Sequence, residues 1–283
     1  MEVLYGVHPI EEALKAGRRR FDHLLVARER DDAQVDRLTA LCRQAAVPVR
    51  QASREHLTLM AKTPAHQGVV ALVHAQEFLS IEDLFTPDPR VATKSPNPGF
   101  ARLVLALDGV EDPQNLGALL RVADGAGVDG VVLTERRSAP LSPVAIKASA
   151  GAAEHLRIAR VVNLVRALEE LKRQNLWIIG LDASDDRRGH TDYDQFDFTG
   201  NCVIVLGREG AGLHDLVRRT CDHLLRIPMA GGVSSLNVSA AGAVVLYEAF
   251  RQRRSAAGAL DHPRPASKAQ PQKPHAKQKG LGS

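Results

Sequence analysis

Two α/β units, the second built on a mostly parallel sheet, are what this sequence predicts. Short apolar runs alternate with amphipathic helical stretches through both halves of the chain, the pattern of strands covered by helices. A proline-rich stretch around residues 85–100, ending TPDPRVATKSPNPGF, forbids a helix and separates the halves. After Arg254 large apolar residues almost vanish, so the end of the chain has little with which to build a core.

The first unit spans residues 1–76. PIEEALKAG has helical amphipathicity, FDHLLVA is a strand, and DAQVDRLTALCRQAA is a second helix with apolar positions at helical spacing. VPVR follows as a short strand, SREHLTLMAK as a helix opened by a serine cap, and GVVALVHA as a buried strand. Residues 77–100 are expected to be a linker. The second unit, residues 101–255, opens with the apolar run ARLVLALDGV. DGVVLT, NLWIIGLD, NCVIVLG and HLLRIPM are further strands, with helical segments between them. Residues 256–283, rich in Lys, Gln, Pro and Ala, are expected to be a disordered basic tail with loose attraction to RNA.

Composition narrows the function. A formal charge of +4 and a pI near 9.1 suit a polyanionic partner without requiring one. Aromatics at 4% argue against a large base-stacking platform. Cys42, Cys202 and Cys221 are far apart with no CxxC pair, as in reduced, buried thiols of a cytosolic protein, and no metal site is expected. There is no apolar run of the roughly 20 residues needed to span a bilayer, and MEVLYGVHPIEEAL lacks the character of a signal peptide. The expected location is cytoplasmic, with neither membrane nor DNA as partner.

Gly125, Gly127 and Gly130 in GAGVDG match a dinucleotide fingerprint, but here the helix precedes the glycines and the strand follows, the reverse of what phosphate binding needs. Gly127 is better explained as a helix C-cap, and a nicotinamide-dependent dehydrogenase is excluded on that ground. GREGAG lacks the ending of a P-loop.

Three stretches carry more. In LDGVEDPQNLGALLRVADGAG a strand turns through Asp112–Pro113 into a helix beginning near Asn115, whose amide either caps the helix or faces a cleft. Arg121 is the single cation of that small, apolar helix, and on spacing alone it could be a surface charge. In NCVIVLGREGAGL a strand ends in a loop holding Gly207, Gly210 and Gly212 around Glu209, where open α/β sheets bind ligands; a tight turn with a solvated acid is the alternative. In IPMAGGVSSLNVSAAGAVVLYEAFRQR a turn carrying Ser235 and Asn237 leads into a helix of small residues, suited to close packing and to holding an anion on backbone N–H groups.

DPQNLGALLRVADGAG, VLGREGAGL and IPMAGGVSSLNVSAAGAVVLYE resemble, in order and spacing, the three signature motifs of the SpoU, or TrmH-type, branch of the SPOUT RNA 2'-O-methyltransferases. LYGVHPIEEAL and HQGVVALV resemble the small L30e-like RNA-binding domain that precedes many of these catalytic domains. The resemblance covers roughly residues 1–255 and is nearest the bacterial enzymes that methylate a guanosine ribose in 23S ribosomal RNA.

It implies an L30e-like substrate-binding domain followed by a SPOUT α/β domain with a C-terminal trefoil knot, acting as a homodimer. It also implies S-adenosylmethionine as cofactor, with Gly207, Ile227 and Leu236 at the cofactor positions. Asn115, Arg121, Glu209, Ser235 and Asn237 match the catalytic-site positions. Arg121 would hold a phosphate and stabilise the developing oxyanion, since a guanidinium stays protonated and makes a poor general base. Asn115 and Asn237 would orient the ribose and loops, and Glu209 would position Arg121 or a loop. Arg18, Arg19 and Arg20 form a candidate RNA-facing run, or simply a solvated helix end. A tRNA ribose target and a non-catalytic RNA-binding protein are the alternatives.

Overall fold

The computed structural model describes residues 1–30, 32–86, 101–182 and 189–261. In the first unit β1 (Glu2–Tyr5), β2 (Phe21–Ala27), β3 (Val49–Ala52) and β4 (Val69–Val73) form a sheet in the order β1-β4-β2-β3. β4 runs antiparallel to both β1 and β2, and β3 lies parallel to β2. Helices α1 (Val7–Ala16), α2 (Ala33–Gln44) and α3 (Arg54–Ala61) complete the unit. Asp32 accepts from Gln34 N and Val35 N to start α2, and Ser53 accepts from His56 N to start α3, as side-chain caps do. β1 has no sequence expectation behind it: its four residues are too few to show alternation.

The HQG stretch is structural. Gln67 Oε1 accepts from Val7 N at 3.0 Å, satisfying a donor at the start of α1. His66 is fully buried; its Nδ1 accepts from Gly68 N at 3.0 Å, so its Nε2 lies 3.0 Å from Thr58 Oγ1 as the donor.

Among the described residues of the second unit, seven parallel strands have the order β7-β6-β5-β10-β8-β11-β9. They are β5 (Leu103–Leu107), β6 (Gly130–Thr134), β7 (Ile158–Val161), β8 (Trp177–Leu181), β9 (His190–Asp192), β10 (Cys202–Leu206) and β11 (His223–Arg226). The helices are α4 (Pro113–Gly125), α5 (Pro143–Ala148), α6 (Leu164–Arg173), α7 (Asp215–Thr220) and α8 (Val238–Asp261). Every residue of β5 and β10 is buried, as expected of central strands covered on both faces. β7 and β9 are short and carry charged residues, so no apolar run marks them in the sequence.

Close backbone approach explains the small residues. A Cβ on Gly242 of α8 would lie 2.4 Å from Leu119 Cδ2, and one on Gly117 of α4 would lie 2.4 Å from Ala148 Cβ. Gly127 has φ +70, and the bonds Gly127 N to Asp124 O and Val128 N to Ala123 O close α4 in a Schellman turn.

Three expectations change. Residues 77–86 are not linker: Leu79 bridges Ala159, Ile81 and Leu84 are buried against the second sheet, and Arg157 donates to the carbonyls of Asp83, Leu84 and Thr86. The apolar residues of FLSIEDLF account for this, and the proline-rich remainder to residue 100 lies outside the described residues. The tail does not begin at residue 256, because α8 continues to Asp261 through the Ala-rich SAAGALD, which favours helix. The rest of the expected tail lies outside the described residues.

The basic run at Arg18–Arg20 does not all face RNA. Arg19 is buried at the seam between the units, its Nε 2.8 Å from Glu154 Oε2, its other nitrogens 2.5 Å from Glu2 Oε2 and 2.9 Å from Gln76 Oε1. Arg18 donates to Leu156 O at 2.8 Å, and only Arg20 stays exposed on the surface. A buried carboxylate across the seam, invisible in local sequence, draws Arg19 inward; burial still raises the Glu154 pKa, partly offset by Arg19. Ile146 of α5 packs into the core of the first unit, and His155 Nε2 meets Glu12 Oε2 at 2.8 Å.

The thiols of Cys42, Cys202 and Cys221 are free, and burial pushes them up to about 11, about 11 and about 12 respectively. No helix of the described residues is long and apolar enough to cross a membrane.

Candidate active site

The chain leaves β5 for β6 and β7 on one side and later returns to place β10 and β8 on the other. The order therefore reverses between β5 and β10, and ligands of open parallel sheets bind beyond the carboxyl ends of such strands. A half-open cleft lies there, lined by Leu181, Leu206, Gly207, Glu209, Ile227 and Leu236, with Ser235 also on its wall.

The loop after β10 closes on itself. Arg208 N donates to Gly212 O and Gly212 N to Arg208 O, both at 3.0 Å, around Gly210 and Gly212 at positive φ. Gly207 is required because a Cβ would lie 2.3 Å from the carbonyl carbon of Gly212. The turn presents Glu209 outward, where Oε1 accepts from Asn115 Nδ2 at 2.7 Å and from Asn237 Nδ2 at 2.5 Å. Asn237 Nδ2 also lies 3.1 Å from Asn115 Oδ1, closing a triangle of three side chains from three distant segments.

Each corner is held from behind. Asp112, not Asn115, caps α4, accepting from Gln114 N at 3.1 Å and Asn115 N at 3.2 Å, and this frees the buried Asn115 amide for Glu209. Asn237 serves two ends at once: its Oδ1 accepts from Ser239 N at 2.8 Å to start α8 while its Nδ2 faces the triangle. Capping and site-building are thus the same residue's work.

Arg121 is placed otherwise. It is exposed on the outer face of α4, does not line the cleft of its own chain, and Glu209 is engaged by the two asparagines rather than by Arg121. Its helix fixes this, since the residues packed inward are Leu116, Gly117, Leu119, Leu120 and Ala123.

Sequence reading did not find two neighbours. Asp108, buried just past β5, accepts from His214 N at 2.7 Å and pairs with His214 Nδ1 at 2.9 Å. Asp182, on the cleft wall, holds Arg218 Nε at 2.7 Å and His190 Nε2 at 3.2 Å. Both acids directly follow a buried apolar strand, and that position was the available signal.

Comparison with known proteins bears on this geometry. Residues 102–247 match the SpoU rRNA methylase family, and residues 3–79 match the RNA 2'-O ribose methyltransferase substrate-binding family. The 23S rRNA (guanosine-2'-O-)-methyltransferase RlmB of Pseudomonas syringae pv. tomato is 40% identical over 253 residues, 89% of this chain and 96% of that protein. Its counterpart from Escherichia coli is 39% identical over 252 residues, 89% of this chain and 99% of that one. The crystal structure of the SpoU methyltransferase AviRb from Streptomyces viridochromogenes, in complex with AdoMet, superposes with a TM-score of 0.71 at 27% identity, covering 89% of this chain and 90% of that one.

Proposed function

The chain belongs to the SpoU rRNA methylase family, and we propose that it transfers a methyl group from S-adenosylmethionine to the 2'-hydroxyl of a guanosine ribose in 23S ribosomal RNA. One observation carries the reading: the Asn115–Glu209–Asn237 triangle stands at the rim of the cleft that Gly207, Ile227 and Leu236 line. Relatives named for this reaction along nearly their whole length support the choice of substrate. That relationship also supports a cytoplasmic location.

The cleft fits the cofactor. Aliphatic walls from Leu181, Leu206, Ile227 and Leu236 suit a nucleoside ring, and side-chain-free backbone at Gly207, Gly210 and Gly212 allows polar groups close approach. The bound cofactor supplies an electrophilic methyl group. The protein's share is to bring a ribose oxygen to it and to stabilise the charge that grows there as the hydroxyl proton leaves. Glu209 locks the two asparagine amides, so that Asn115 and Asn237 form a rigid rim on which the ribose is oriented. Ser235, exposed on the cleft wall, adds a hydroxyl beside it.

Arg121 is the cation of this mechanism, holding the target phosphate and stabilising the oxyanion. Because it faces away from its own cleft, the active form in this reading is a homodimer in which Arg121 of one protomer completes the cleft of its partner. The exposed outer faces of α4 and α8, with Arg121 and Tyr247, support that pairing. The trefoil knot belongs to the same reading, supported by the return of α8 onto α4 after β11.

Mapping 2'-O-methylation on total RNA from cells with and without the gene tests the proposal. One guanosine of 23S rRNA should lose its methyl group; a lost tRNA methyl, or no lost ribose methyl, would refute it.

A further inference from the structure

Arg208 lines the cleft between Gly207 and Glu209 but has no part in the triangle. Its side chain lies across Gly109, just past β5: a Cβ on Gly109 would lie 2.8 Å from Arg208 Cγ, 3.1 Å from its Cδ and 3.3 Å from His214 Cε1. The absent side chain at Gly109, whose φ is +78, is therefore the channel in which the arginine stem runs. His214 forms the other wall, its ring fixed by the buried Asp108. Although this brace holds the stem, Arg208 Nε is buried with no hydrogen-bond partner among the described residues. A buried N–H without an acceptor is costly and rare, and a role in binding is one of the explanations such a group has when its side chain lines a cleft. The neighbouring acid that could have neutralised it, Glu209, is committed to Asn115 and Asn237.

We propose that Arg208, braced by Gly109 and His214, is a phosphate-binding residue that grips a phosphodiester of the RNA strand next to the target ribose. The inference rests on the RNA methyltransferase reading and adds a second cation to it. Arginine suits the task, because its planar fork pairs with phosphate oxygens in two directions and keeps its charge. The position suits it too. Arg208 lies one residue past the glycine expected to touch the cofactor and one before the acid of the triangle, so a strand gripped there presents its sugar to the rim. Gly109 and His214 act through Arg208, as positioning residues.

The test uses the full chain, a 23S rRNA transcript, and S-adenosylmethionine. Arg208→Ala should weaken RNA binding, read by fluorescence anisotropy, by about tenfold, and reduce the slope of log affinity against log salt by about one. Arg208→Lys should recover most of the slope and only part of the affinity, since a point charge replaces a fork. Gly109→Ala, which retains the charge but fills the channel, should raise the KM for RNA more than it lowers kcat. Unchanged RNA affinity and salt slope in a folded Arg208→Ala protein would overturn the assignment. So would a selective loss of cofactor affinity by calorimetry, or sedimentation of Arg208→Ala as a monomer where the wild type sediments as a dimer. If the wild type binds this RNA yet methylates no RNA, the methyltransferase reading fails while the anisotropy comparison still tests Arg208.

Discussion

Asn237 Nδ2 donates to Glu209 Oε1 across 2.5 Å, joining the start of the last helix to the glycine loop after the central strand. The same carboxylate oxygen receives Asn115 Nδ2 at 2.7 Å, so one atom sets the spacing of both amides. Glu209→Ala is therefore expected to lower kcat by about a hundredfold through misplacement of the rim. Cofactor affinity should change much less. Asn115→Ala combined with Glu209→Ala should cost far less than the sum of the two, and fully additive losses in a double-mutant cycle would show that the triangle does not act as a unit.

Arg121→Ala should abolish turnover while leaving the binding of S-adenosylmethionine near the wild-type value. Mixing inactive Arg121→Ala protein with the slowed Glu209→Ala protein should raise the activity above the sum of the two, because a mixed dimer keeps one complete cleft. Absence of any recovery in mixtures shown to exchange subunits would argue against a shared site.

The seam between the units should be strongly coupled to stability. Arg19→Ala strands Glu154, whose side chain is 1% exposed, and should destabilise the protein by about 3–5 kcal/mol in urea unfolding. Replacing both partners with Met and Leu should recover most of that loss, since a buried pair often contributes little over a well-packed apolar substitute.

Gly117→Ala should cost about 1–3 kcal/mol, because the new methyl meets Ala148 Cβ at 2.4 Å and Ala145 O at 2.5 Å. The same unfolding measurement checks it, and a neutral result would mean that α4 and α5 separate easily.

His66 gives a pH dependence. Burial first, then the nearby charges of Arg54 and Lys147, lowers its pKa from the ordinary value. The unfolded chain therefore takes up a proton that the folded protein resists. This contribution to stability is complete above the unfolded pKa of about 6.5 and diminishes as pH falls through that value toward the lower folded pKa. His66→Gln should flatten the slope of stability against pH over that interval; an unchanged slope would assign it to other groups.

Much of this was legible in the sequence where local chemistry is self-sufficient. The two central strands, β5 and β10, announce themselves as unbroken apolar runs, and the Ser53 and Gly127 caps follow from residue type alone. The residues of the triangle could be named as candidates from their motifs. What joins them could not, because Asn115 and Glu209 are separated by 94 residues and meet only through the strand order. Arg19 misled for the same reason: three arginines in a row look like a surface, and only the fold brings Glu154 to one of them. Strands as short as β1 and β9 borrow their conformation from a neighbour and leave no periodicity to read.

The arginine bolt at the seam has a mechanical result. With Arg19 gripping Glu2, Gln76 and Glu154 at once, and Ile146 inserted into the opposite core, the amino-terminal unit cannot swing freely over the catalytic sheet. Under the proposed function, a seam held in this way sets a fixed span between the first unit and the cleft, and an RNA loop would have to match that span.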